Sequence, residues 1–377
     1  MSEANNEQTG GKEFYLPELL FGYVESMLAG RTPAVQARIL PFEEFISDPL
    51  HRPGFAGLHT TFMFHTRSTN LEKPLYYCVV DYPIMNASVT SFSNFYCIVV
   101  YSGLYQQTYS IMAGLLSDRS LRKFLLTGEE AVDDGSYPRL SRREAYVDLR
   151  ETGAERADKP ALDLTYLLSQ LTVIIVTCHE LGHIFGGHLQ HSLTKNHMSE
   201  DAVQVDAQGI RRALEIDADV FGSLASALLM CNIKPYPRWS DLPLDLDMAL
   251  RFLFVSCYAT YSIMDLFGPV DPLVTRKVHP APLLRIYIVG LIVSNALPVI
   301  IPASEREAIW DQASSSVRAV ELALLATAGG SMMPEEALQY ESAGSQLWDE
   351  HLGRWSTIKS SLDRKRLDVF PWSPVLP

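Results

Sequence analysis

Two histidines four residues apart, with a glutamate beside the first, form the stretch of this chain with the strongest chemical signature: His179-Glu180-Leu181-Gly182-His183. Side chains at i and i+4 are neighbours on a helix, so both imidazoles reach one metal ion while Glu180 is rotated toward a water at that ion. Neutral imidazoles suit Zn²⁺, and the adjacent carboxylate supplies a general base, which together make a zinc-hydrolase arrangement. A lone histidine on an apolar helix is usually an ordinary core residue. Two at this spacing with a carboxylate between them favour the metal reading.

The third ligand decides the class. A metzincin needs histidine at position 189, and this chain has Leu189 there although Gly186 fits that pattern. The alternative is a carboxylate on a second helix, and the amphipathic run Gly209 to Leu229 holds Leu214-Glu215-Ile216-Asp217-Ala218-Asp219. Glu215 and Asp219 share a face. Glu215 then ligates the ion, and Asp219 accepts a proton from the far nitrogen of a ligating histidine, fixing its tautomer. Asp217 is expected to point elsewhere, into solvent. An exposed acidic stripe is the bland reading, and the apolar neighbours Leu214, Ile216, Ala218, Val220 and Phe221 argue against it. On a helix continued past His183, His188 lies about 140° away, so His188 and His191 are left out of the site unless Gly186-Gly187 ends the helix first.

The elements that must carry these residues are legible in outline. Asp158-Lys159-Pro160 supplies an N-cap with proline in the first turn, and the run Ala161 to Cys178 becomes increasingly apolar, so the histidine motif belongs deep in a buried helix. Upstream, Leu16 to Leu28 reads as helix, and Phe62-Met63-Phe64, Leu75 to Val80 and Phe95 to Tyr101 read as strands of a small sheet. Val132 to Lys159 is charged and broken by Gly135, Pro138 and Gly153, the pattern of a surface insertion or linker. Ser192 to Gly209 reads as a polar loop near the cleft, able to act as a lid. Helices follow near Leu246 to Phe267, Pro282 to Leu297, Glu305 to Thr327 and Pro334 to Leu362, ahead of a proline-rich tail at Phe370 to Pro374.

The expected fold class is α+β, predominantly helical. Residues 1–12 form a disordered tail, 13–131 helices and a small sheet, and 132–160 the linker. Residues 161–302 form the zinc-binding core, and 303–377 the C-terminal helices and tail.

A net charge of −13 without a basic block argues against nucleic acid and anionic lipid as partners. The first dozen residues lack the basic start and apolar core of a secretory signal. The apolar run Ile286 to Ile301 has 16 residues and is interrupted by Ser294, Asn295 and Pro298, against about 20 needed to span a bilayer, so it reads as a buried helix. The 5 cysteines are scattered through apolar segments without paired spacing, which suits a reducing compartment. These features together predict a cytoplasmic chain without a membrane span, whose partner is a protein or peptide.

The His179-Glu180-x-x-His183 motif with His188, followed by Glu215-x-x-Ala218-Asp219, resembles the M48-type gluzincin peptidases, which include the CAAX prenyl endopeptidase and the membrane protease HtpX. The Lit phage-exclusion peptidases share this pattern in a compact layout. Two further stretches are similar in the family's order. Met85-Asn86-Ala87-Ser88 leads through Phe95 to Leu104 like the family's strand pair and following helix start, and His279-Pro280 to Arg285-Ile286 is like its His-Pro segment.

The resemblance implies a zincin-type core and a zinc-dependent endopeptidase, with one Zn²⁺ on His179, His183 and Glu215. It also implies an oxyanion-stabilising role for His279, a structural pairing partner in Arg285, and a strand at Asn86, Ala87 and Ser88 beside the cleft. Pro83 independently suits an edge, because it cannot donate to a central ladder. An edge strand offers unsatisfied backbone groups to an extended substrate. The chain departs from the family pattern at Ser88, where a phenylalanine is usual. The expectation of a cytoplasmic chain without a membrane span is a further departure, since most relatives in that family are membrane-embedded or exported.

An inert zinc-helix scaffold serving as a protein-binding module is the rival function, and Glu180 discriminates against it, since a structural site has no use for a base. A latent, highly selective protease in a defence or toxin setting is a variant of the enzyme reading.

Overall fold

The computed structural model describes residues 12–31, 38–48, 58–59, 61–62, 71–129, 142–189, 203–232, 245–267, 282–296, 306–328, 349 and 352–353. Its strands are β1 (Arg38–Ile39), β2 (Leu75–Asp81), β3 (Ala87–Ser91) and β4 (Tyr96–Tyr101). Its helices are α1 (Phe21–Arg31), α2 (Phe42–Ser47), α3 (Ser102–Leu115), α4 (Arg119–Thr127), α5 (Arg142–Arg156), α6 (Lys159–Phe185), α7 (Val203–Asn232), α8 (Leu246–Phe267), α9 (Pro282–Ala296) and α10 (Arg306–Ala328). A mostly helical protein with one small mixed sheet results, in agreement with the α+β expectation.

The four strands lie in the order β1-β2-β4-β3. β4 reads Tyr-Cys-Ile-Val-Val-Tyr without alternation, as suits a strand covered on both faces, and its first five residues are buried. It pairs parallel with β2, placing Tyr77 opposite Ile98 and Val79 opposite Val100. β3, Ala-Ser-Val-Thr-Ser, is only partly buried and forms one edge, antiparallel to β4. The Tyr101 amide donates to the Asn86 carbonyl at 3.1 Å and the Phe92 amide to the Phe95 carbonyl at 2.8 Å. In an antiparallel ladder such pairs alternate, so Asn86, Ser88, Thr90 and Phe92 turn their backbones to β4, while Ala87, Val89 and Ser91 turn theirs to the open side. Lys73 pins the far end of β3 by donating to the Phe92 carbonyl at 2.9 Å.

α6 carries the histidine motif and packs against α3, α7 and α8. Its N-cap Asp158 accepts from the Ala161 amide at 2.9 Å, and Pro160 occupies the first turn, where a missing N–H costs nothing. It is buried almost continuously from Leu164 to Phe185. Among the described residues, α6 is the one helix long and apolar enough to cross a membrane, and 83% of its apolar window is covered within the protein. α7 crosses it closely because two glycines permit contact: a Cβ on Gly182 would stand 2.9 Å from Ala218 Cα, and one on Gly222 would stand 3.0 Å from the His179 nitrogen.

Three expectations meet a different structure. Within the stretch read as a linker, Arg142–Arg156 is a helix, and residues 130–141 lie outside the described residues. Ala145, Tyr146 and Leu149 are fully buried, and Gly153 packs against Gly114 of α3. An apolar stripe of helical period is thus hidden in a charged sequence. Phe62, read as strand, lies in a short helical piece at 61–62, its ring 4.9 Å from Tyr77. Of the expected lid loop Ser192 to Gly209, the part from Val203 on is helix α7; residues 190–202 lie outside the described part, as do the expected helix 334–362, apart from Asp349, Leu352 and Gly353, and the tail 370–374.

Candidate metal centre

α6 presents His179 and His183 one turn apart, and α7 brings Glu215 across to them. The two Nε2 atoms are 3.2 Å apart. Glu215 Oε2 stands 3.2 Å from His179 Nε2 and 3.6 Å from His183 Nε2. Tetrahedral Zn²⁺ with bonds near 2.1 Å separates its ligand atoms by about 3.4 Å, so these three atoms have the spacing of one face of that tetrahedron. Two imidazole nitrogens and one carboxylate oxygen also form a donor set suited to zinc rather than to calcium or magnesium. Among the described residues this is the single cluster of histidine, cysteine and acidic groups able to hold a metal ion.

His179 is oriented from behind. Its Nδ1 lies 2.8 Å from Asp219 Oδ1, which leaves Nε2 to face the cluster. Asp219 in turn accepts from Arg285 of α9, from Nε at 2.8 Å and from Nη2 as well, and the guanidinium lies 3.7 Å above the Tyr261 ring of α8. Burial alone would raise the Asp219 pKa; the charges and hydrogen bonds of Arg285 and His179 overcome it and hold the carboxyl at about 2. Burial likewise works against charge on His179, but Asp219 and then Glu215 outweigh it and push its pKa up to about 10. The cluster therefore attracts positive charge, as a cation site must.

His183 is oriented by a partner that the sequence reading left out of the site. α6 stops at Phe185, and Gly187 takes the left-handed conformation with φ 73°. His188 consequently lies beside the site rather than facing away from it: its Nδ1 is 2.9 Å from His183 Nδ1. Its Nε2 is 3.0 Å from Asp217 Oδ2. Asp217, expected in solvent, is 4% exposed. The shift follows from that helix end, which breaks the 100° progression on which the exclusion of His188 rested. Burial lowers the His188 pKa against the pull of Asp217, favouring the neutral ring.

Glu180 sits one residue along from His179 and is 7% exposed. Burial raises its pKa, partly offset by His179 and His183, with Glu215 adding to the rise and the Val89 backbone amide opposing it. That amide belongs to the outward-facing set of β3, so the open edge of the sheet meets the carboxylate directly. The expected substrate strand, Asn86, Ala87 and Ser88, is therefore next to Glu180, but only Ala87 of the three turns its backbone outward; Val89 and Ser91 complete the outward set. The polar Ala-Ser-Val-Thr-Ser composition was the available sign that the edge extends to Ser91.

His279 lies outside the described residues. Compared with protein-family models, with curated proteins and with solved structures, the chain matches none.

Proposed function

We propose that the chain is a zinc-dependent endopeptidase with a gluzincin arrangement, in which His179, His183 and Glu215 hold the ion. The observation that carries this reading is the triangle of Nε2, Nε2 and Oε2 atoms at tetrahedral spacing, with the buried Glu180 beside it and an open strand edge against Glu180. Zinc bound there supplies Lewis-acid polarisation of a carbonyl and lowers the pKa of water.

Ala87 and Ser91 offer backbone donors and acceptors to an extended peptide, and Val89, whose amide is taken by Glu180, offers its carbonyl; the peptide's own backbone is recognised irrespective of most side chains. Glu180 takes a proton from the attacking water and returns it to the leaving amine. Its burial, which moves the carboxyl upward toward neutral pH, suits that role. Asp219 and Arg285 keep His179 in one tautomer throughout. His279, carried by the family resemblance, would donate to the developing oxyanion.

An inert scaffold has no use for the buried carboxylate. Terminal proteomics on cells producing the wild type or Glu180→Gln tests the reading: new protein termini in the wild type alone support it, and identical termini at full zinc loading count against it.

A further inference from the structure

Two buried side chains, His188 and Asp217, have no part in the ligand set yet form a continuous chain with it. If His183 presents Nε2 to a metal, a neutral ring must carry its proton on Nδ1. That proton points at His188 Nδ1, 2.9 Å away, which must then accept. His188 consequently carries its own proton on Nε2, and that atom faces Asp217 Oδ2 at 3.0 Å. Every atom in the series has a donor facing an acceptor, and only one tautomer of each ring satisfies it.

Two glycines serve this arrangement. Gly187 takes the left-handed conformation in the turn that ends the helix, and at Gly186 a Cβ would stand 2.3 Å from His188 Nε2, so any larger residue displaces the ring. His188 and Asp217 are 3% and 4% exposed, which holds the chain away from water.

We propose that His188 and Asp217 are positioning residues for the metal centre, a relay that fixes the tautomer and orientation of His183 as Asp219 fixes His179. The proposal rests on the metal reading above and extends it. The two ligand histidines are then held unequally: His179 by a carboxylate directly, His183 by a carboxylate acting through a second imidazole. Partners of this kind typically alter metal affinity by about 10- to 100-fold.

The test is the zinc dissociation constant of the full-length protein, read by competition with a chromogenic chelator. His188→Ala and Asp217→Ala should each weaken zinc by about 10-fold or more. The double variant should lose no more than His188→Ala alone, because Asp217 reaches His183 only through His188. His188→Asn, whose amide oxygen reproduces the Nδ1 acceptor, should recover most of the affinity lost in His188→Ala. His183→Ala separates the two ideas. If it loses zinc while His188→Ala and Asp217→Ala bind as the wild type does, the relay is overturned and the metal centre stands. If His183→Ala itself binds zinc normally, the metal reading falls first. Should His188→Ala fail to fold, Asp217→Asn carries the test. Lowered melting temperature with unchanged affinity in Asp217→Asn makes the pair merely structural and overturns the relay; weakened zinc at an unchanged melting temperature supports it.

Discussion

Asp219 stands 2.8 Å from the far nitrogen of His179, so the ring that faces His183 and Glu215 is set from the opposite helix by a carboxylate that Arg285 itself grips. All three groups are buried. Removing one partner leaves an uncompensated buried charge, so Arg285→Met should cost about 3–5 kcal/mol of stability by chemical denaturation. A near-neutral result would mean that the ion pair does not carry the packing of α7 against α9.

The same carboxylate predicts an acid dependence. Arg285 and His179 hold its pKa at about 2 in the folded protein, below the ordinary aspartate value of 3.8. A depressed carboxylate pKa contributes stability that is present above the unfolded value and lost as pH falls through the folded one. In metal-free protein, the urea midpoints of wild type and Asp219→Asn should therefore differ at pH 6 and converge between about pH 4 and 2. A gap independent of pH would assign the difference to packing.

Close approach of α6 and α7 depends on glycine. Gly182→Ala places a methyl 2.9 Å from Ala218 Cα, a backbone atom that cannot swing aside. Overpacking of this kind typically costs about 1–3 kcal/mol, and separation of α6 from α7 should draw Glu215 away from the histidines. Lower stability together with weaker zinc binding is expected. Lower stability with unchanged zinc affinity would uncouple the helix spacing from the site.

Proline substitution separates the two sides of β3. Ala87 turns its amide to the open edge, so Ala87→Pro should impair cleavage of an identified substrate with little change in melting temperature. Ser88 turns its amide to β4, so Ser88→Pro removes a ladder bond and should lower the melting temperature itself. Wild-type cleavage by Ala87→Pro would place the substrate elsewhere.

Much of this site is legible in local spacing. The i,i+4 rule brings His179 to His183 and Glu215 to Asp219, and the capping sequence at Asp158 marks the start of α6. Asp217 and His188 escape the same rule. Their meeting depends on two glycines ending a helix and on packing between residues 29 apart, neither of which helical periodicity measures. Arg142–Arg156 escapes for another reason. Its buried stripe of Ala145, Tyr146, Leu149 and Gly153 is narrow, and the surrounding charges mask it.

The most direct measurement is the zinc content of purified protein by elemental analysis, for the wild type, Glu215→Ala and Glu180→Gln. About one zinc per chain is expected in the wild type and in Glu180→Gln, since Glu180 is a base and no ligand, with the metal lost from Glu215→Ala. Stoichiometric zinc in Glu215→Ala, or none in folded wild type supplied with zinc, would contradict the metal centre on which the enzymatic reading stands.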